Sequence, residues 1–233
     1  MSLLSSFKKR STLDAAIKHV AQARKSEGGK AEQLYKSAYQ GFAGVLVDNL
    51  MFSEALYHWG FGLLHEAGTK QGSEAAATLE DAISKFTFCL LTAPNYLGAA
   101  IDGGVAYMEL ARLRPAAERT GCYAKAEEFF EQACAIQKAS AAYNLACIYA
   151  LRGDETACQK ALEQAKEFGS LPNESTIVQD EDMQPVAESL WFKEFIESVR
   201  ALPEPGREKL NHQEVDVEPK FKLKKSEDYD YYS

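Results

Sequence analysis

Residues 142–154 read AYNLACIYALRGD, and residues 158–165 continue CQKALEQA. In the first stretch Leu145 and Ala146 are followed three places on by Tyr149, and Gly153 with Asp154 supplies a turn. In the second, Cys158 stands four places before Leu162, and Ala165 follows three places later. The first stretch is rich in Ala and Leu and the second in Ala, Gln, Lys and Glu, and their apolar positions recur at three and four, so each predicts an amphipathic helix. The glycine between them breaks the pattern, so the two helices fold back on each other. A small side chain at Ala146 lets the second helix approach closely, and Leu162 fills the space towards a neighbouring pair.

Upstream the same arithmetic returns twice. Leu56, Trp59, Gly60 and Leu63 hold the first-helix spacing, and Ala82, Phe86 and Cys89 hold the second. Ala100, Gly103, Gly104 and Tyr107 do so again, answered by Ala126, Phe130 and Ala133. The small-residue markers Gly60, Gly104 and Ala146 are 44 and 42 positions apart. Leu63 to Ala82 takes 19 steps where Tyr149 to Cys158 takes 9, so the earlier repeats carry ten extra residues. Split over two helices at 1.5 Å per residue, these lengthen each helix by roughly 7 Å.

Outside these repeats the chain before Pro203 also reads as helix. Stretches near 12–26 and 31–47 are amphipathic and are separated by Gly28 and Gly29, and a last helix near 190–201 follows a polar loop. The expectation is an all-α chain of about nine helices with no strand pattern. Its organisation divides into an N-terminal helix pair (1–52) that packs on the array, three repeats with a C-terminal capping helix (53–202), and a charged, Tyr-rich, flexible tail (203–233). In that tail Val215, Val217, Phe221 and Leu223 alternate with charges, an arrangement that also suits docking on the chain's own helical domain.

The recurring residues resemble the tetratricopeptide repeat, whose signature is W-x2-L-G-x2-Y…A-x3-F…P. Pro94 keeps the closing proline of the first copy, and Asn144, Leu145 and Tyr149 make the third copy the best. Asp180, Asp182, Met183 and Val186, followed by Trp191, Phe192 and Phe195, are similar to the capping segment that ends many bacterial arrays of this family. A period near 42–44 also suits HEAT or armadillo repeats, but the small-residue and A-x3-F markers recur in register. The resemblance implies a right-handed superhelical stack of antiparallel helix pairs, with first helices lining a concave groove. It places Tyr57, His58, Phe61 and Leu64 of the first repeat in that groove, with Ile101, Asp102, Val105 and Met108 of the second and Tyr143, Asn144 and Cys147 of the third. Co-chaperone members grip a carboxylate terminus with Lys, Arg and Asn at these places; only Asn144 is present here, so the groove is apolar and is no carboxylate clamp. Phe61 and Tyr143 are its expected anchors.

Composition bounds the function. With 26 Lys plus Arg against 34 Asp plus Glu, the chain has a net charge of −8, which gives no footprint for nucleic acid. Residues 1–36 reverse this, with eight basic and three acidic residues, a start suited to an acidic partner or to packing on an acidic body. No apolar run approaches the ~20 residues of a membrane span, and MSLLSSFKKR has no leader pattern. Five cysteines in an odd count, without a C-x-x-C pair, suit a reducing compartment and buried thiols. His58 and His65, seven apart on one helix, lie about 10 Å apart by rise, too far to share one metal ion, and read as partly exposed groove histidines. No catalytic, cofactor or metal motif is present. The reading is a cytoplasmic, non-enzymatic scaffold that binds a protein segment, a peptide or amphipathic helix, in an apolar groove. A helical subunit with a small-molecule site and a self-assembling homo-oligomer are the other readings.

Overall fold

Gly153 turns the chain between the two helices of the third repeat. Its backbone sits at φ 74°, in the left-handed region, and its N–H meets the Ala150 carbonyl at 3.0 Å. The Asp154 N–H then reaches back to Tyr149 O at 2.9 Å, closing the helix end. The Asp154 carboxylate accepts from Ala157 N at 3.0 Å and opens the next helix. One glycine and one aspartate thus end one helix and start its partner.

The computed structural model describes residues 3–46 and 52–200, which are all helix and short connection, with no strand among them. In chain order the helices are α1 (Leu3–Ala23), α2 (Gly28–Leu46), α3 (Phe52–Ala67), α4 (Gly72–Thr92), α5 (Leu97–Leu113), α6 (Ala116–Ile136), α7 (Ala142–Arg152), α8 (Glu155–Glu167), α9 (Glu174–Gln179) and α10 (Leu190–Arg200). A 3₁₀ turn (Glu181–Val186) separates the last two. The expected tail from residue 203 lies outside the described residues. The helices group into two compact units, one running to Cys122 and one beginning at Tyr123 within α6.

In the first unit α1 packs on α2, α2 on α3, α3 on α4 and α4 on α5, a pairwise helical repeat. Helices α3 to α6 run 16 to 21 residues, whereas α7 and α8 have 11 and 13, matching the extra residues read between the markers. The packing follows the small-and-large arithmetic. A Cβ on Gly60 would lie 2.8 Å from the Phe86 ring, so only glycine lets α4 come this close. The pair α1–α2 carries the same markers. Ala38 stands four places before Phe42, Val45 follows, and Phe42, Phe86 and Phe130 are spaced 44 apart, each with 0 % exposure. Ala16 is 44 positions before Gly60, and its Cβ would be 2.9 Å from one placed on Gly41. The small-and-large spacing of the later pairs thus recurs in the first two helices.

The second unit is built around α7 and α8. The stretch read as a polar loop before residue 190 forms α9 and the 3₁₀ turn instead, giving more helical segments than the nine expected. The reason is side-chain capping: Asn173 Oδ1 accepts from Thr176 N at 2.9 Å, and Asp180 Oδ1 accepts from Asp182 N at 3.0 Å. The turn lies on α7, with Met183 and Val186 buried, and α10, which buries Phe192 and Phe195, touches α8 and α9. Two helix starts also move: α1 begins at Leu3 rather than near Thr12, and α6 at Ala116 rather than Cys122. Neither added stretch contains a proline within the helix, so nothing in either ends it early.

Candidate partner-binding face

On α3, Glu54, Tyr57, His58 and Phe61 form a partly exposed row that continues into buried Leu64 and His65. The i, i+3 and i+4 spacing stacks these side chains along one side of the helix. The Tyr57 ring centroid lies 4.8 Å from Tyr96, 5.0 Å from His58 and 6.1 Å from Phe61. A Cβ on Gly98 would fall 2.9 Å from the Tyr57 ring, so the bare backbone of α5 is what seats this tyrosine. Two cations, Arg10 of α1 and Arg24 just after it, reach the same row. Arg10 Nη1 donates to Glu54 Oε2 at 2.8 Å and Arg10 Nε pairs with Asp14 at 3.0 Å, while the Arg24 guanidinium sits 5.2 Å from the Phe61 centroid.

Of the two histidines expected to be partly exposed, His58 is so and His65 is not. His65 is 8 % exposed, with its ring 4.4 Å from Phe61 edge to face. Burial, and then the nearby Arg24 charge, push its pKa down to about 3. Burial and Arg10 push His58 down to about 4. Both imidazoles are therefore neutral members of an aromatic row at physiological pH.

Helix α5 places Ile101, Val105 and Met108 at 5 to 6 % exposure, with Asp102 half-buried between them. Glu109 is 1 % exposed and pairs with Arg112 at 2.5 Å. In the second unit Tyr143 and Cys147 are buried too, at 3 % and 0 %, while Asn144 is half-buried. The Tyr143 hydroxyl donates to Asp180 Oδ2 at 2.8 Å, and Cys147 Sγ lies 3.9 Å from the same oxygen. The protein's own 3₁₀ turn thus sits on the third repeat's share of the sequence-derived groove, and Tyr143 faces Asp180. The sequence held the signal in Asp180 and Asp182, read there only as part of a cap. Tyr143→Phe should lower stability by about 1.5–3 kcal/mol, because the buried carboxylate loses a donor. Chemical denaturation measures this; a change below about 0.5 kcal/mol would show that the bond contributes little.

One family model matches residues 30–174, from within α2 to the first residue of α9, more than half of the chain. It describes the plant-specific mitochondrial import receptor subunit TOM20. The chain belongs to this family. No curated protein and no solved structure matches it.

Membership in the TOM20 family gives the interaction reading its general form, since a receptor subunit acts by contact with other proteins. It overturns the cytoplasmic placement, because the family is one of mitochondrial import receptor subunits. Charge and hydropathy report what a surface can touch and whether a segment spans a bilayer, and neither encodes an organelle. Among the described residues of this TOM20-family protein no helix is long and apolar enough to cross a membrane. The matched family is also described as plant-specific, whereas the sequence likened the array's end to bacterial caps.

Three of the five cysteines in this TOM20-family protein are buried and two, Cys122 and Cys134, are half-buried. Burial pushes the Cys89 and Cys158 thiols up to about 12, and Cys122 and Cys134 also shift upward from burial, so the reactive thiolate is suppressed at neutral pH. Cys147, Asp180 and Asp182 bring three potential metal ligands within 4.8 Å of one another. Asp180 already accepts from Tyr143 and from the Asp182 backbone, so its carboxylate works as a helix cap and a buried bridge.

Proposed function

We propose that this protein is a receptor subunit that holds an apolar segment of another protein, an amphipathic helix or extended peptide, against the inner row of α3. The observation that carries this reading is the partly exposed row of Tyr57, His58 and Phe61, a run of rings on a rigid helix. Aromatic side chains on a fixed backbone give large contact area at small entropic cost and tend to dominate binding energy. Family membership supports a protein partner, and the import-receptor description points to proteins bound for mitochondria as its source.

The test uses a fluorescently labelled synthetic peptide with leucines on one helical side and arginines on the other, against a scrambled control. Phe61→Ala should weaken binding by at least about thirtyfold if the ring is a central anchor. The thermal melt of the variant, followed by circular dichroism, checks that the array remains folded. Raising salt from low to physiological strength should change the affinity by less than about threefold, since apolar anchors are not screened. Binding indifferent to Phe61→Ala would remove the α3 row from the site. Binding that vanishes at physiological salt would shift recognition to the basic start of α1, where Lys8 and Phe7 are exposed.

A further inference from the structure

The first unit is polarised along its helices. Arg10 Nη1 meets Glu54 Oε2 at 2.8 Å, and Ser53 Oγ lies 3.0 Å from Thr92 Oγ1, so the starts of α1 and α3 share one end of the unit with the end of α4. The start of α5 joins them where Gly98 meets the Tyr57 ring, and the last turns of α2 lie beside α1 where Gly41 meets Ala16. Among the described residues of this end, in 3–10, 40–46, 52–57 and 86–101, the charged side chains are Lys8, Lys9, Arg10 and Glu54. The other end, in 20–36, 62–81 and 106–119, carries 16. The end poor in charge also holds the unit's three most exposed large apolar side chains among the described residues. These are Phe7 at 80 %, Leu91 at 70 % and Phe88 at 55 %. Phe88 and Leu91 stand three apart on the outer side of α4. The repeat itself does not call for them, because 44 residues either way the place of Phe88 is taken by Gly44 and Gln132.

We infer that this end of the first unit rests on an anionic lipid surface, with Phe7, Phe88 and Leu91 dipping into the headgroup–acyl boundary and Lys8 lying among the headgroups. Apolar tips enter that boundary only where no ionised group must follow them, since desolvating a charge costs more than a ring gains. Residues 86–101 contain no charged side chain at all, which meets this condition across the end of α4 and the start of α5. Glu54 is the one acid at this end and is neutralised by Arg10. The remaining charge is therefore positive, with Lys8 exposed beside Phe7, and a basic margin is attracted to anionic headgroups. The apolar tips stand on separate helices. A fluid interface conforms to such an arrangement, whereas a protein partner would need a surface shaped to span α1 and α4 together. The contact lies on the membrane surface and does not span it. It sets the inner row of α3 running away from the lipid, with Glu54 nearest and His65 farthest. The inference does not rest on the receptor reading.

The experiment sediments the full-length protein with vesicles of equal parts phosphatidylcholine and phosphatidylglycerol, and with phosphatidylcholine alone. The wild type should partition onto the mixed vesicles and more weakly onto the neutral ones. The double variant Phe88→Glu, Leu91→Glu should bind the mixed vesicles at least about tenfold more weakly. Lys8→Glu should weaken binding and reduce its salt dependence. Val178→Glu with Leu190→Glu, exposed apolar residues of the second unit, should leave binding unchanged. All these positions are exposed, and circular dichroism melts check that each variant is folded. As a second readout, vesicles with a photoreactive diazirine on the acyl chain should label wild-type peptides from residues 86–95. Absence of wild-type binding to the mixed vesicles, equal binding by Phe88→Glu, Leu91→Glu, or acyl-chain label confined to other segments would overturn the inference. So would p-benzoylphenylalanine at position 91 joining another protein molecule in place of lipid, which would make this end a protein interface.

Discussion

Phe86→Ala should lower the unfolding free energy by about 3–5 kcal/mol, the range for truncating a fully buried phenylalanine. The ring has no solvent exposure and fills the space opposite Gly60, whose absent side chain is what admits it. The hole left behind cannot collapse easily, because the surrounding helices α3, α4 and α5, 16 to 21 residues long, are packed on one another. Phe42→Ala and Phe130→Ala should show costs in the same range, since both rings occupy the equivalent register place at 0 % exposure. Urea denaturation followed by circular dichroism reads the loss. A cost below about 1 kcal/mol for Phe86→Ala would mean that the 44-residue register does not describe the packing. A conformationally independent first pair would appear as a separate transition in Phe42→Ala, whereas a cooperative repeat moves the whole transition.

Acidification from pH 7 to pH 5 should destabilise the protein through two imidazoles, the buried His65 and the half-buried His58. In the folded state His65 titrates near 3 and His58 near 4, against about 6.5 in the unfolded state. Between these values the unfolded state binds more protons, so their contribution to stability is complete above about pH 6.5 and falls as the pH drops towards the folded values. At about 1.4 kcal/mol per pH unit, His65 accounts for a loss of roughly 2 kcal/mol at pH 5. His58, more open to water, adds less. Most exposed carboxylates are still ionised in this window, so the histidines dominate it. His58→Gln with His65→Gln should flatten the denaturation midpoint between pH 7 and 5. Equal acid sensitivity in wild type and double variant would place the titrating group elsewhere.

The sequence by itself determined the all-α class and the succession of the repeat helices, but not α9 or the 3₁₀ turn. Gly60, Gly104 and Ala146, with Phe86, Phe130 and Leu162, are local statements about how close two neighbouring helices can come, so spacing alone conveys them. The same spacing was present in Ala38, Phe42 and Val45, and the tertiary structure shows these residues packed as in the later pairs. What only the tertiary structure decided was which of the groove-facing residues meet solvent. Tyr57 and Phe61 share a row with His65 on one helix, yet the first two are partly open and His65 is buried. Tyr143 occupies the same repeat place as Tyr57 and is sealed by Asp180, 37 residues further along the sequence. A helical period tells which side of a helix a residue is on. It does not tell what a distant segment lays over that side, because such contacts join residues far apart in sequence and leave no period in it.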